Sequence, residues 1–143
     1  MASIRGIPAA NRLASAPTKQ SPAPVVSTAL TLRPGDANPL ADIKAELVEL
    51  RTEFEPGDAS ELAFTIRGAT IIYDFKSEEL IVNDHRAPAP LRGGKQRLAI
   101  FCDRTGLEVF ASDGLAYVPM PFLPKAEDRS LSASVTNGNV KIV

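Results

Sequence analysis

Leu62, Phe64 and Ile66 alternate with Ala63, Thr65 and Arg67, and beyond Gly68 a second apolar run occupies residues 70–75. Alternation at period two, broken by a glycine, predicts a β-hairpin. Residues 98–102 and 107–110 repeat the pattern around a polar connection, Asp103-Arg104-Thr105-Gly106. Asp113-Gly114 then tolerates positive φ and predicts a two-residue turn into a third strand over residues 115–122, so that a three-stranded meander forms.

Elsewhere the elements are shorter. Lys76, Ser77, Glu78 and Glu79 connect to an apolar triplet at 80–82, and Asn83-Asp84-His85-Arg86-Ala87-Pro88 reads as a loop by composition. Asn137-Gly138, between apolar positions at 131–135 and 140–143, predicts another hairpin. Val118-Pro119-Met120-Pro121-Phe122-Leu123-Pro124 is apolar and proline-rich; proline cannot donate to a central ladder, so this run belongs at a sheet edge. From Ile43 to Phe54 two periods coexist: Ile43, Leu47, Leu50 and Phe54 share a helical face, while Val48, Leu50, Thr52 and Phe54 alternate. Helix propensity favours the first reading, and periodicity leaves it open. Many short strands at close spacing predict an all-β, two-sheet antiparallel sandwich.

At 143 residues, one domain can bury roughly two thirds of its unfolded surface. A hydrophobic fraction of 44% and no apolar run of about 20 residues argue against a membrane span. The net charge of -1 conceals an asymmetry: residues 1–35 hold Arg5, Arg12, Lys19 and Arg33 without an acid, leaving 12 basic against 17 acidic residues in the body. Such a body repels phosphate backbones, so nucleic acid is not an expected partner.

Residues 1–28 are rich in Ala, Ser and Pro and lack periodicity, predicting a flexible arm ahead of a sandwich domain at 29–143. A transit peptide is a rival reading of that basic arm, although it has no amphipathic helix; there is no apolar core of a secretory signal either. Localisation stays open. Cys102 stands alone in an apolar strand, which excludes an intrachain disulfide and predicts a buried thiol.

Asp103-Arg104-Thr105, followed after two residues by Glu108-Val109-Phe110, resembles a stretch in the C-terminal β-sandwich of glycoside hydrolase family 32, the invertase, levanase and inulinase enzymes. Pro34-Gly35-Asp36-Ala37-Asn38-Pro39-Leu40, Glu53-Phe54-Glu55-Pro56-Gly57-Asp58 and Leu91-Arg92-Gly93-Gly94-Lys95-Gln96-Arg97-Leu98 are similar to further landmarks of that domain, in the same order. The resemblance covers the chain from about Leu30, and more weakly from Arg12. It implies a jelly-roll-like sandwich, resolves residues 43–54 as a long strand, and makes Arg12-Leu13-Ala14-Ser15-Ala16-Pro17 similar to the exit of a catalytic propeller. It also implies a further strand after residue 143, so the sandwich is expected to lack its last strand and expose an edge.

Asp103 and Glu108 are the pair that a retaining glycosidase reading selects, since such enzymes need two carboxyls about 5–5.5 Å apart. The family's catalytic carboxylates resemble an Asp in Trp-x-Asn-Asp-Pro, an Asp in Arg-Asp-Pro and a Glu in Glu-Cys; this sequence has no tryptophan and none of these motifs. Asp103, Arg104, Glu108, Asp113 and Gly114 are therefore expected to order a hairpin, with Asp103 and Arg104 bracing the connection and Glu108 facing solvent or Arg104. His85 is the sole histidine, a solvated loop residue by this reading, and too few nitrogen or sulfur ligands exist for a zinc site. Gly93-Gly94 reads as a turn. No cofactor is implied.

Two functional readings are set against each other. One is a non-catalytic module that stabilises a propeller catalytic domain or mediates oligomerisation through its uncovered apolar surface. The other is a stand-alone carbohydrate-binding sandwich, with Tyr73 and Tyr117 as sugar contacts and a fructan or another carbohydrate as ligand. Aromatics total 6%, and most of the six phenylalanines are expected in the core.

Overall fold

The computed structural model describes residues 2–5 and 29–143. Among these described residues twelve strands follow in order: β1 (Ala2–Arg5), β2 (Leu30–Leu32), β3 (Val48–Pro56), β4 (Glu61–Ile66), β5 (Ala69–Asp74), β6 (Glu79–Val82), β7 (His85–Pro88), β8 (Gln96–Cys102), β9 (Gly106–Ala111), β10 (Ala116–Pro121), β11 (Leu131–Thr136) and β12 (Val140–Ile142). The larger sheet runs β10-β9-β8-β3-β12-β2 with β1 added beside β3; the smaller runs β11-β4-β5-β6-β7. Every pairing is antiparallel except that of β1 with β3. The chain is the expected two-sheet sandwich.

Alternation makes the core. Val48, Leu50, Thr52 and Phe54 of β3, Leu62, Phe64 and Ile66 of β4, and Leu98, Ile100 and Cys102 of β8 are buried, while the residues between them face outward. Each large side chain removed from water contributes about 1.5–3 kcal/mol. Phe54, Tyr73 and Phe75 meet edge to face at centroid separations of 5.2–5.7 Å, closing one end of the interior.

Two expected hairpins form. β8 and β9 join through residues 103–105, and β4 and β5 through Arg67-Gly68, both at positive φ. β10, carrying Pro119 and Pro121, is an edge strand as its prolines require. The edge of β11 is partly covered by Asn38, whose amide donates to the Leu131 carbonyl (2.8 Å) and accepts from the Ala133 N–H (3.0 Å).

Four expectations change. The long strand over 43–54 begins only at Val48. Ahead of it the main chain is held elsewhere: Ala45 N–H donates to Arg129, and the Glu46 carbonyl accepts from Arg67. Residues 83–88 are not a loop. Asn83, at φ 52, accepts from the Thr70 N–H through its side chain, and the chain reverses into β7. The polar composition that suggested a loop is that of an edge strand exposed on both faces.

Asn137-Gly138 is no hairpin either, because β11 lies in the smaller sheet and β12 in the larger. The turn is a crossover that fits against residues 57–58. A Cβ on Gly138, at φ +103, would sit 2.4 Å from the Asp58 carbonyl oxygen, and one on Gly57 would sit 2.3 Å from that of Asn139. The Asp58 carboxylate accepts from the Asn139 N–H (2.7 Å). Finally, Asp113-Gly114 is part of a longer connection in which Ser112, Asp113 and Gly114 all have positive φ, and the strand starts at Ala116 with Leu115 exposed. Gln96 supports it: its Oε1 accepts from the Ser112 N–H (2.7 Å), and the Ser112 hydroxyl donates to the Pro90 carbonyl (2.7 Å).

β12 is interior to its sheet, between β2 and β3, and on that side of β3 Val48–Arg51 is paired by β1. The rest of the expected arm, with its propeller-like segment at Arg12, lies outside the described residues.

Candidate functional site

Positions that alternate with the core residues of β3, β8, β9 and β10 form the outer face of the larger sheet. Register aligns Tyr117, Phe110, Ala99 and Arg51 in one row, and Pro119, Glu108, Phe101 and Glu49 in the next. Tyr117 stacks on Phe110 with centroids 4.5 Å apart and rings 19° from parallel. Phe110 meets Phe101 edge to face at 5.9 Å, and the Arg51 guanidinium lies over Phe101 at 5.3 Å. A diagonal aromatic ridge therefore crosses a face that faces solvent.

Charges border the ridge in pairs. Tyr117 donates its hydroxyl to Glu108 Oε1 (2.5 Å), which pushes the phenol pKa up. Arg51 Nε sits 2.6 Å from Glu49, and Arg97 bridges Glu53 and Asp113 at 2.5 and 3.2 Å. Lys95 first, then Arg97, hold the Glu53 carboxyl below its usual range. Open depressions flank the ridge: one of about 820 Å³ between Glu49, Phe101, Glu108, Pro119 and Pro121, and one of about 660 Å³ between Arg51, Arg97, Phe110 and Asp113.

At one end of this face, Asp103 turns the β8–β9 connection. Its Oδ1 accepts from the Thr105 and Gly106 N–H groups at 2.8 and 2.7 Å, and those bonds, Thr105 first, lower its pKa. Arg104 does not brace Asp103; it reaches Glu46 Oε1 at 2.5 Å, joining the hairpin to the segment before β3. Glu108 finds Tyr117 rather than Arg104. Asp113 and Gly114 lie at the far end, beside Arg97.

Of the two tyrosines, Tyr117 is 47% exposed at the sheet edge. Tyr73 is fully buried, its hydroxyl donating to the Ala89 carbonyl (2.7 Å), and is out of reach of any sugar. Burial also pushes the Cys102 thiol pKa up, which suits an inert core residue. His85 stands on the exposed strand β7, its Nδ1 3.0 Å from Asp84.

Phe101 and Phe110 are the residues that a core assignment of the phenylalanines misses. The signal was in the phase: Phe101 falls between buried Ile100 and Cys102, and Phe110 between buried Val109 and Ala111, so both must face outward.

Residues 13–143 match the family described as glycosyl hydrolases family 32 C terminal. The chain is similar to a levanase of Bacillus subtilis (strain 168), 31% identical over 136 residues, an alignment covering 79% of this chain and 20% of the levanase. It thus spans about a fifth of that relative's length. Among solved structures, an exo-inulinase of Aspergillus awamori superposes with a TM-score of 0.70 at 20% identity, covering 80% of this chain and 28% of that one. A β-fructofuranosidase of Schwanniomyces occidentalis gives 0.56 at 11% identity, covering 80% and 30%.

Proposed function

Since the chain belongs to the glycosyl hydrolase family 32 C-terminal domains, we propose that it is a non-catalytic sandwich of a fructan-active enzyme, stabilising and positioning a catalytic propeller docked on the outer face of its larger sheet. The aromatic ridge carries this reading. An antiparallel sheet facing water normally alternates to polar residues on that side, whereas here Phe101, Phe110 and Tyr117 stand in contact above the strands. Aromatic clusters of this kind are the anchors of protein interfaces, and the paired charges around them suit a polar rim.

The chain spans about a fifth of the levanase, which leaves room in an enzyme of that kind for such a partner domain. Asp103 and Glu108 fit a supporting role, because each carboxylate already accepts hydrogen bonds from its own turn or neighbour. Mixing this chain with a separately produced levanase propeller tests the reading. Binding is expected by sedimentation, with a loss of at least tenfold on Phe110→Lys; release of fructose from levan by this chain alone would overturn it.

A second reading, sugar binding, draws on the half-exposed ring of Tyr117 and its hydroxyl–Glu108 pair. Calorimetric titration with levan and inulin oligosaccharides decides it: heat that disappears in Tyr117→Ala supports it, and no heat at millimolar sugar removes it.

A further inference from the structure

β3 is paired on one side by β8, from Val48 to Phe54. Its other side is divided. β12 runs antiparallel beside Phe54–Pro56, and the Val143 N–H donates to the Glu53 carbonyl at 2.9 Å. From Arg51 back to Val48 the partner is β1, running parallel. The window from Val48 to Thr52 thus lies outside the antiparallel ladder and is covered by four residues of less favourable polarity.

We propose that this window is a strand-pairing edge for a second copy of the chain, and that β1 competes with that copy for it. The window is complementary to itself. Because Glu53 presents its carbonyl to this side, alternation makes Glu49 and Arg51 the residues whose main-chain groups also point there. A two-fold antiparallel pairing centred on Leu50 sets Glu49 opposite Arg51 of the second copy, and Arg51 opposite its Glu49. Two hydrogen-bonded residue pairs form, each also a pair of opposite charges on the outer face, and Val48 meets Thr52. Pairing stops before Glu53, so only the terminal Val143 must shift, and each copy keeps its own β12 ladder at Phe54–Pro56.

The interface is small and commits to a weak, isologous dimer. It goes beyond the docking reading, since it uses the sheet's edge rather than its face, and either stands if the other fails. The alternation also makes Ile4, registered with Leu50, the β1 residue that bridges Glu49 and Arg51. Ile4→Pro removes that residue's N–H and releases the window.

Sedimentation velocity on the full chain and on Ile4→Pro tests the proposal, with melting curves to establish that each variant folds. The full chain is expected to associate only at high concentration, and Ile4→Pro at least tenfold lower. Adding Arg51→Glu should return Ile4→Pro to monomer, and adding Glu49→Arg to that pair should restore the dimer. A chain without residues 2–5 serves as a second variant and should behave like Ile4→Pro. Monomeric Ile4→Pro at millimolar concentration, association indifferent to Arg51→Glu, or no restoration by the charge exchange would each overturn it.

Discussion

The Arg67 guanidinium donates to the main-chain carbonyl of Glu46 at 2.6 Å, while the carboxylate of Glu46 turns the other way to Arg104. Arg67 is 3% exposed, yet no carboxylate neutralises it directly: its other donors reach the Asp128 and Lys125 carbonyls at 2.6 and 2.9 Å. One side chain of the β4–β5 turn thereby ties down the approach to β3 and the loop before β11. Arg67→Met leaves three carbonyls without that donor and should cost about 3–5 kcal/mol, measured by urea unfolding. Because φ is positive there, Arg67→Gly should be less damaging than Arg67→Ala by about 1 kcal/mol.

Thr52 predicts the opposite sign. Its Oγ1 is buried without a hydrogen-bond partner among the described residues. Thr52→Val keeps the branched shape and removes the desolvated hydroxyl, so stability should rise by about 1–2 kcal/mol, seen as a higher urea midpoint at unchanged slope.

The glycines separate strain from crowding. Gly114 has φ +93, and a Cβ added there would meet nothing within 4 Å, so Gly114→Ala should cost about 1–2 kcal/mol for the backbone alone. At Gly138 the same strain is joined by overlap with the Asp58 main chain. Gly138→Ala should therefore cost at least twice as much; equal midpoints would refute the close approach.

Acid stability has a defined sign. The carboxyls of Asp103, Asp74 and Asp128 are held below the usual range chiefly by the Thr105 N–H, the Ser77 N–H and the Ser130 hydroxyl, and those of Glu46 and Glu53 chiefly by Arg104 and Lys95. In that range the folded chain binds fewer protons than the unfolded one, so their contribution is complete above the unfolded pKa of about 4 and is lost as pH falls through the lower folded values. Urea midpoints should be level from about pH 5 to 8 and drop below about pH 4. Asp103→Asn, which keeps the acceptor oxygen, should make that drop shallower.

Where a local rule had one outcome, the sequence disclosed it. The phase of Leu62, Phe64 and Ile66 permits one buried face, and Arg67-Gly68 permits one kind of turn. Asn137-Gly138 supplies the backbone shape of a turn but not the sheet to which the next strand goes; Asp58, some eighty positions earlier, settles that. β7 was hidden because an edge strand has no buried face to mark its period, and the entry to β3 because Arg67 captures a carbonyl from outside the segment. The ridge was legible in phase and obscured by residue type, since phenylalanine invites a core assignment.

The position of β12 has a kinetic consequence. Leu30 and Phe54 are brought into one sheet only through Ile142, which pairs with both. Closing a loop of that length is slow and the gain comes late. During synthesis, β4 to β7 and β8 to β10 can assemble by neighbouring hairpins, while β2 waits for almost the entire chain. The larger sheet is expected to refold in a late phase that Val140→Pro slows or abolishes, leaving the β4–β5 hairpin to form first.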